Sequence, residues 1–275
     1  MMPTMKFLAL LLLSISLAFG QAGPDAKNET SQPALADQDN SRRARALLDG
    51  MIQALGGQAY LDIQDISQEG RTYGFHLGLP EGVGVPFWRF YVFPDKERLE
   101  LTKKRDWFVI YRGDQGFEIT YQGTRSVDPK ALSDYLRRRQ YSLDWVVRKW
   151  LKEPGIALFY EGSAVAAEKE AQQVTIMDSQ NQAVTLYVDA KTHLPIKKSY
   201  SWRDPVDKQR NVEEEIFDNY RPVQGIMTPF DITRYYNGDM SSQRFLTSVT
   251  YNKGLSDAMF AASITNDSKV IAPKK

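Results

Sequence analysis

Trp88-Arg89-Phe90-Tyr91-Val92-Phe93-Pro94-Asp95 is the stretch on which the reading of this chain turns. Trp88, Phe90 and Val92 alternate with Arg89, Tyr91 and Phe93. Such a period of two marks an extended strand, and Pro-Asp closes it with a turn. The pattern recurs along the chain at Trp107, Val109 and Tyr111, then at Phe117, Ile119 and Tyr121. It returns at Val174 and Ile176, at Val184, Leu186 and Val188, and at Ile196, Tyr200 and Trp202. Phe230, Ile232 and Tyr236, then Phe245, Val249 and Tyr251, continue it. Gly113-Asp114 and Asn237-Gly238-Asp239 are further turn signals. With the runs near 63–73, 97–102 and 212–220, about ten or eleven strands are predicted, in an antiparallel sheet, sandwich or barrel. Strands and helices do not alternate, so a nucleotide-binding α/β fold is not expected.

Helical periodicity occurs twice. Ser41 suits an N-cap, followed by Ala44, Leu47, Leu48, Met51 and Leu55 on one stripe and stopped by Gly56-Gly57. Arg42, Arg43 and Arg45 would then face the positive end of the dipole, as a solvated N-terminus or as contacts to an acidic partner. The second region interrupts the strands. Asp128 can cap, Pro129 suits the first helical position, and Leu132, Tyr135 and Leu136 follow. Ser142 opens a second segment with Leu143, Val146, Val147, Trp150 and Leu151, ended by Pro154-Gly155. Leu132, Leu136, Leu143, Val147, Trp150 and Leu151 are the candidate lid residues.

The 275 residues carry 35 Lys+Arg against 34 Asp+Glu. Residues 1–20 hold Lys6 as a positive n-region, an apolar run from Phe7 to Phe19, and small residues at Ala18 and Gly20. That is a secretory signal pattern with cleavage expected after Gly20, or else after Ala22. The apolar run would span about 20 Å, short of the ~30 Å hydrocarbon core. Nothing later is long and apolar enough to span, so a periplasmic protein without a transmembrane segment is expected. Removing Lys6 leaves the bases and acids balanced, which argues against nucleic acid as a partner. With no Cys, and His76 and His193 the only histidines, no metal, cofactor or cysteine nucleophile is expected. Residues 21–40 are polar and aperiodic and read as a disordered spacer. The folded domain is placed at 41–262, with a flexible tail at 263–275.

No catalytic motif is present. Gly82-Val83-Gly84 lacks the third glycine of a nucleotide fingerprint, and Asp37-Gln38-Asp39 lacks the rest of a calcium loop. His76 and His193 lie in no recognised motif, and no catalytic residue is assigned. Glu213 and Glu215 share one strand face. They can be read as a carboxylate pair for glycoside chemistry, or, as preferred, as an acidic edge strand that discourages pairing. Residues 129–153 hold seven bases and three acids, and 204–218 six acids and two bases. The basic 130–152 and acidic 204–218 segments are therefore candidate docking surfaces for an envelope protein, and Arg137-Arg138-Arg139 for an anionic head group.

Aromatic residues are abundant, with 13 Phe, 14 Tyr and 5 Trp. A curved sheet with helices across its mouth encloses either a packed core or an apolar cavity, and periodicity does not distinguish them. If a cavity exists, Trp88, Phe90, Val109, Leu186, Ile196, Tyr200, Trp202, Phe230, Ile232 and Phe245 are its expected lining.

Several turn and strand-edge segments carry a family resemblance. They are Ala54-Leu55-Gly56-Gly57, Phe93-Pro94-Asp95-Lys96-Glu97-Arg98 and Val188-Asp189-Ala190-Lys191-Thr192-His193-Leu194-Pro195. Tyr220-Arg221-Pro222-Val223-Gln224-Gly225-Ile226-Met227-Thr228-Pro229 and Leu255-Ser256-Asp257-Ala258-Met259-Phe260 complete the set. From about Ser41 to Phe260 the chain resembles the bacterial outer-membrane lipoprotein-sorting proteins, the LolA/LolB-like superfamily. The resemblance implies a mainly β fold, an unclosed antiparallel β-barrel of about eleven strands with an N-terminal helix and a helical lid insertion. It also implies an apolar cavity for acyl chains. The expected function is a non-catalytic periplasmic carrier or binding protein for a lipid or lipoprotein acyl chain. The alternatives are an envelope interaction or sensor module with a self-filled barrel, and a hydrolase with an unrecognised site.

Overall fold

The computed structural model describes residues 31–265, with side chains from residue 37 onward. The expected signal peptide, the first ten residues of the spacer and the last ten of the tail lie outside the described residues.

Helix α1 (Ser31–Leu55) leads into a single turn, α2 (Gln58–Leu61). The first strands are β1 (Asp65–His76), β2 (Leu79–Pro80), β3 (Val85–Val92), β4 (Lys96–Glu100), β5 (Phe108–Arg112), β6 (Gln115–Thr120) and β7 (Gly123–Ser126). Helices α3 (Pro129–Gln140) and α4 (Leu143–Arg148) and a 3-10 turn at Trp150–Lys152 form the insertion. The second run is β8 (Ala157–Ala166), β9 (Lys169–Met177), β10 (Ala183–Asp189), β11 (Pro195–Arg203), β12 (Arg210–Val223), β13 (Ile226–Tyr236) and β14 (Asp239–Tyr251). A last 3-10 turn covers Asp257–Phe260.

All fourteen strands belong to one antiparallel sheet. From β7 the order runs back through β6, β5, β4 and β3 to β1, then from β14 in reverse to β8, with β2 pairing β1 outside this path. The barrel is unclosed because β7 and β8 do not pair. The strand count exceeds the expected eleven by β2, β7 and β8. Each lacks the alternation that reveals a strand: β2 has two residues, β7 is Gly-Thr-Arg-Ser, and β8 is broken by Glu161-Gly162-Ser163.

Both open edges are covered, as unpaired edges must be to avoid wrong pairing. At β8 the Asn40 side-chain amide donates to the Tyr160 carbonyl at 2.8 Å, and its oxygen accepts from the Tyr160 N–H at 2.8 Å. At β7 the Thr124 N–H donates to Thr265 Oγ1 at 3.0 Å. These contacts correct two boundaries. Helix α1 begins ten residues before Ser41, so residues 31–40 are helical rather than spacer, and Thr265 is tied to the sheet rather than free. Arg42 and Arg43 consequently sit inside the helix, where both pair with Asp39.

The stripe of α1 behaves as its spacing requires. Ala44, Leu48, Met51 and Leu55 are all buried, against β8, β9 and β13. They join Val174, Ile176, Val184, Leu186 and Val188 in one core. The α4 segment adds Val146, Val147 and Trp150 to the same core. Helices therefore fill the β8–β11 half of the inner face. The caps of the insertion form where the sequence places them. Asp128 accepts from the N–H groups of Lys130 and Ala131, and Ser142 Oγ from that of Trp145.

One glycine is fixed by close approach rather than by a turn. At the bulge in β1 a Cβ on Gly70 would lie 2.2 Å from the Phe245 carbonyl oxygen and 3.0 Å from the Leu246 Cα. Gly70→Ala is expected to cost about 1–3 kcal/mol, as overpacking does. Urea denaturation measures it, and an unchanged midpoint would show that β1 and β14 can part freely.

Candidate functional site

On the other half of the inner face lies a cavity of about 360 Å³. Its walls come from α1, α2, β1, β3, β4, β5, β12, β13 and β14, and from α3 and α4 of the insertion. Strand phase decides who lines it. Arg89 and Tyr91 of β3 face inward beside Ile66 and Gln68 of β1, their register partners. Trp88 and Phe90 consequently point the other way. There Arg105 stacks over both rings, at 5.1 Å and 5.7 Å from their centroids.

Part of the wall is apolar: Leu55, Ile63, Ile66, Leu99, Leu143, Ile226 and Ile232. The rest is charged. β12 is an interior strand, and Glu213 and Glu215 are buried on its inner side. The edge-strand reading of this pair is therefore wrong. Lys198 on β11 and Arg234 on β13 flank Glu215 in register, each at 2.6 Å from a carboxylate oxygen. Arg234 also reaches Glu213 at 3.2 Å, and Arg138 of α3 approaches it at 3.8 Å. Across the cavity Arg89 grips Glu97 at 2.7 Å and 3.2 Å.

Burial alone would raise the pKa of both Glu215 and Glu97. For Glu215 the charges of Lys198, Arg234 and Arg244 outweigh burial and hold the carboxyl well below its usual range. For Glu97, Arg89 and the Tyr135 hydroxyl do the same to a lesser degree. Both carboxyls are therefore ionised at neutral pH. His76 and His193 are both exposed. Among the described residues no cluster of three or more His, Cys, Asp or Glu is placed to hold a metal.

The helical insertion divides into two parts. Val147 and Trp150 are core, each 2% exposed, and Trp150 meets Tyr141 edge-on at 5.4 Å. Leu151 packs partly against the same core. By contrast α3 buries no residue fully. It is held over the mouth by polar and aromatic contacts. Tyr135 stacks on Tyr111 at 3.5 Å and donates to Glu97 at 3.1 Å. Arg137 lies over Trp202 at 3.8 Å, and Arg139 donates to the Gly113 carbonyl at 2.7 Å. Each such contact stabilises by about 0.5–2 kcal/mol, so α3 is the weakly held element of the cover. Of the seven bases in the 130–152 segment read as a docking surface, Arg138 and Arg139 line the cavity, Arg137, Arg148 and Lys149 are half-buried, and Lys130 and Lys152 are exposed, while Glu213 and Glu215 of the acidic segment are buried.

Of the ten expected lining residues, Ile232 is in the cavity wall. Leu186, Tyr200, Phe230 and Trp202 face inward but pack in the core under the helices. Val109 shares the inner phase through its pairing with Leu99. Ile196 is diverted by a bulge into a small cluster with Ala166, Ala171 and Tyr187. Phe245 is 37% exposed on the outer face, edge-on to Tyr73. Of the lid candidates, Leu143 lines the cavity, while Leu132 and Leu136 of α3 are half-buried outside its wall.

Such an open antiparallel barrel, plugged on one side and hollow on the other, is the LolA/LolB-like fold. A DUF1329 family protein from Desulfovibrio piger superposes with a TM-score of 0.54 at 14% identity, covering 79% of this chain and 97% of that one. A putative outer membrane lipoprotein-sorting protein domain from Vibrio parahaemolyticus gives 0.51 at 8% identity, covering 79% and 97%. A LolA superfamily protein from Nitrosomonas europaea gives 0.50 at 13%, covering 80% and 97%. No family model matches the sequence. No curated protein matches it either. Among the described residues no helix is long and apolar enough to cross a membrane.

Proposed function

We propose that this is a non-catalytic periplasmic binding protein or carrier that holds one acyl chain, of a lipid or a lipoprotein, in the cavity beneath α3. The observation that carries the reading is the cavity itself. Protein interiors are close-packed, with few voids larger than a water, so about 360 Å³ beside apolar side chains calls for an occupant. The volume lies at the lower end of the range for drug-sized ligands, which suits a single chain. Burial of each methylene contributes about 0.8 kcal/mol. The saturated state of Glu97 and Glu215 supports the absence of catalysis, and the leader at 1–20 supports export.

A neutral fluorescent probe, N-phenyl-1-naphthylamine, tests the site. The wild type is expected to bind it saturably and Ile232→Trp, which fills the cavity, at least about tenfold more weakly. Phe245→Ala on the outer face should bind as wild type does. Equal binding by the wild type and Ile232→Trp would reject the cavity as the site.

A second reading, docking of an envelope protein, has its own observation. The tip of the β1–β3 connection exposes Leu77, Leu79 and Val83, at 72%, 71% and 92%.

A further inference from the structure

Resting on the carrier reading, we infer that the occupant is a single-chain amphiphile with an anionic head, carboxylate or phosphate, gripped by Arg244. The inference comes from matching charges across the inner face. Glu97 is taken by Arg89, and Glu215 by Lys198 and Arg234 at 2.6 Å each. Glu213 has Arg234 at 3.2 Å and Arg138 at the mouth. Arg89, Arg138, Arg139, Lys198, Arg234 and Arg244 line or flank the cavity against Glu97, Asp144, Glu213 and Glu215, so cations are in surplus by two.

Geometry identifies Arg244 as the cation of this set left without a close counter-charge. Its guanidinium lines the cavity, and its nearest carboxylate oxygen, on Glu215, is 3.9 Å away and already engaged by Arg234. Among the described residues it donates no hydrogen bond within ordinary distance. A guanidinium offers five donors in a planar fork that matches carboxylate and phosphate two bonds at a time. The Arg244 side chain is half-buried, 26% exposed, so it is partly stripped of water with no close counter-charge in return. Burial, then the charge of Arg234, bring its pKa down to about 10, so it stays protonated at neutral pH. An anionic head placed there would reduce that surplus, with its chain running along Ile66, Leu99 and Ile232.

Head and chain can be tested apart. Hexadecanoate, hexadecanol and inorganic phosphate would each be titrated against N-phenyl-1-naphthylamine-loaded wild type, Arg244→Met and Arg244→Lys, with phosphate binding also followed by calorimetry. The wild type is expected to prefer hexadecanoate to hexadecanol by about tenfold or more. Arg244→Met should erase that preference by weakening hexadecanoate far more than hexadecanol, and Arg244→Lys should keep part of it. Removing a half-buried charge without a close partner should not impair folding, which circular dichroism would check, and Arg244→Lys keeps the test open if Met is not tolerated. Equal wild-type affinity for the two lipids, or equal losses of both in the Arg244 variants, would overturn the anion site while hexadecanol binding upheld the carrier. Phosphate binding alone as tightly as hexadecanoate would overturn the amphiphile class. Failure of both lipids to bind would reject the carrier reading and this inference with it.

Discussion

Glu215→Gln is expected to lower the unfolding free energy by about 3–5 kcal/mol, the cost of breaking a buried ion pair from one side. The loss would come less from the missing attraction than from what is left behind. Lys198 is only 2% exposed and has Glu215 as its ion-pair partner. Arg234 would keep only Glu213. The neighbouring pair Lys197–Glu214 provides a control, since both side chains are over a fifth exposed. Glu214→Gln should cost less than about 1 kcal/mol. Urea titration of both variants measures the contrast, and equal effects would mean that the cluster inside the barrel is solvated. The same carboxylate sets an acid limit. Its pKa in the folded protein lies below the unfolded value of about 4.3. Its stabilisation is therefore complete above that pH and lost as pH falls through the folded value. Glu97 acts in the same direction. Stability should fall steeply below about pH 4, and Glu215→Gln should flatten that limb.

Trp150→Ala should cost about 3–5 kcal/mol, as large-to-small changes in a core do. Trp150 is 2% exposed, edge-on to Tyr141, which in turn stacks on Tyr200 at 4.2 Å. This aromatic column ties the insertion to β11 and stands outside the cavity wall. Thermal unfolding would report the loss, while the folded fraction binds an apolar probe as wild type does. A stable variant that binds poorly would instead make Trp150 part of the cover over the cavity, where α3 lies.

The β-rich architecture was legible because alternation reports a half-buried strand whatever its neighbours are. Caps at Asp128 and Ser142 and the α1 stripe were legible for the same local reason. The cavity wall was not. At Trp88–Phe93 both phases are apolar enough to be inward, and the larger aromatics suggest the wrong one. Arg105 covers Trp88 and Phe90 on the outside, so burial by a cation imitates burial in a core. Meanwhile the inward phase carries Arg89, Lys198, Glu213, Glu215, Arg234 and Arg244, residue types that are rarely buried unless paired. One signal was present. Lys198, Glu215 and Arg234 occupy strand interiors with opposite signs on successive strands, and an exposed face does not require such matching. Only the register makes them neighbours, and register depends on bulges such as those in β1 and β11 that composition does not announce.

Native mass spectrometry of the protein purified from the bacterial envelope, wild type beside Ile232→Trp, tests the central claim most directly. The account predicts one acyl-bearing molecule per wild-type chain, released as a lipid on organic extraction, and a bare Ile232→Trp chain. Wild-type protein that emerges bare, or an adduct equally present in folded Ile232→Trp, would contradict it.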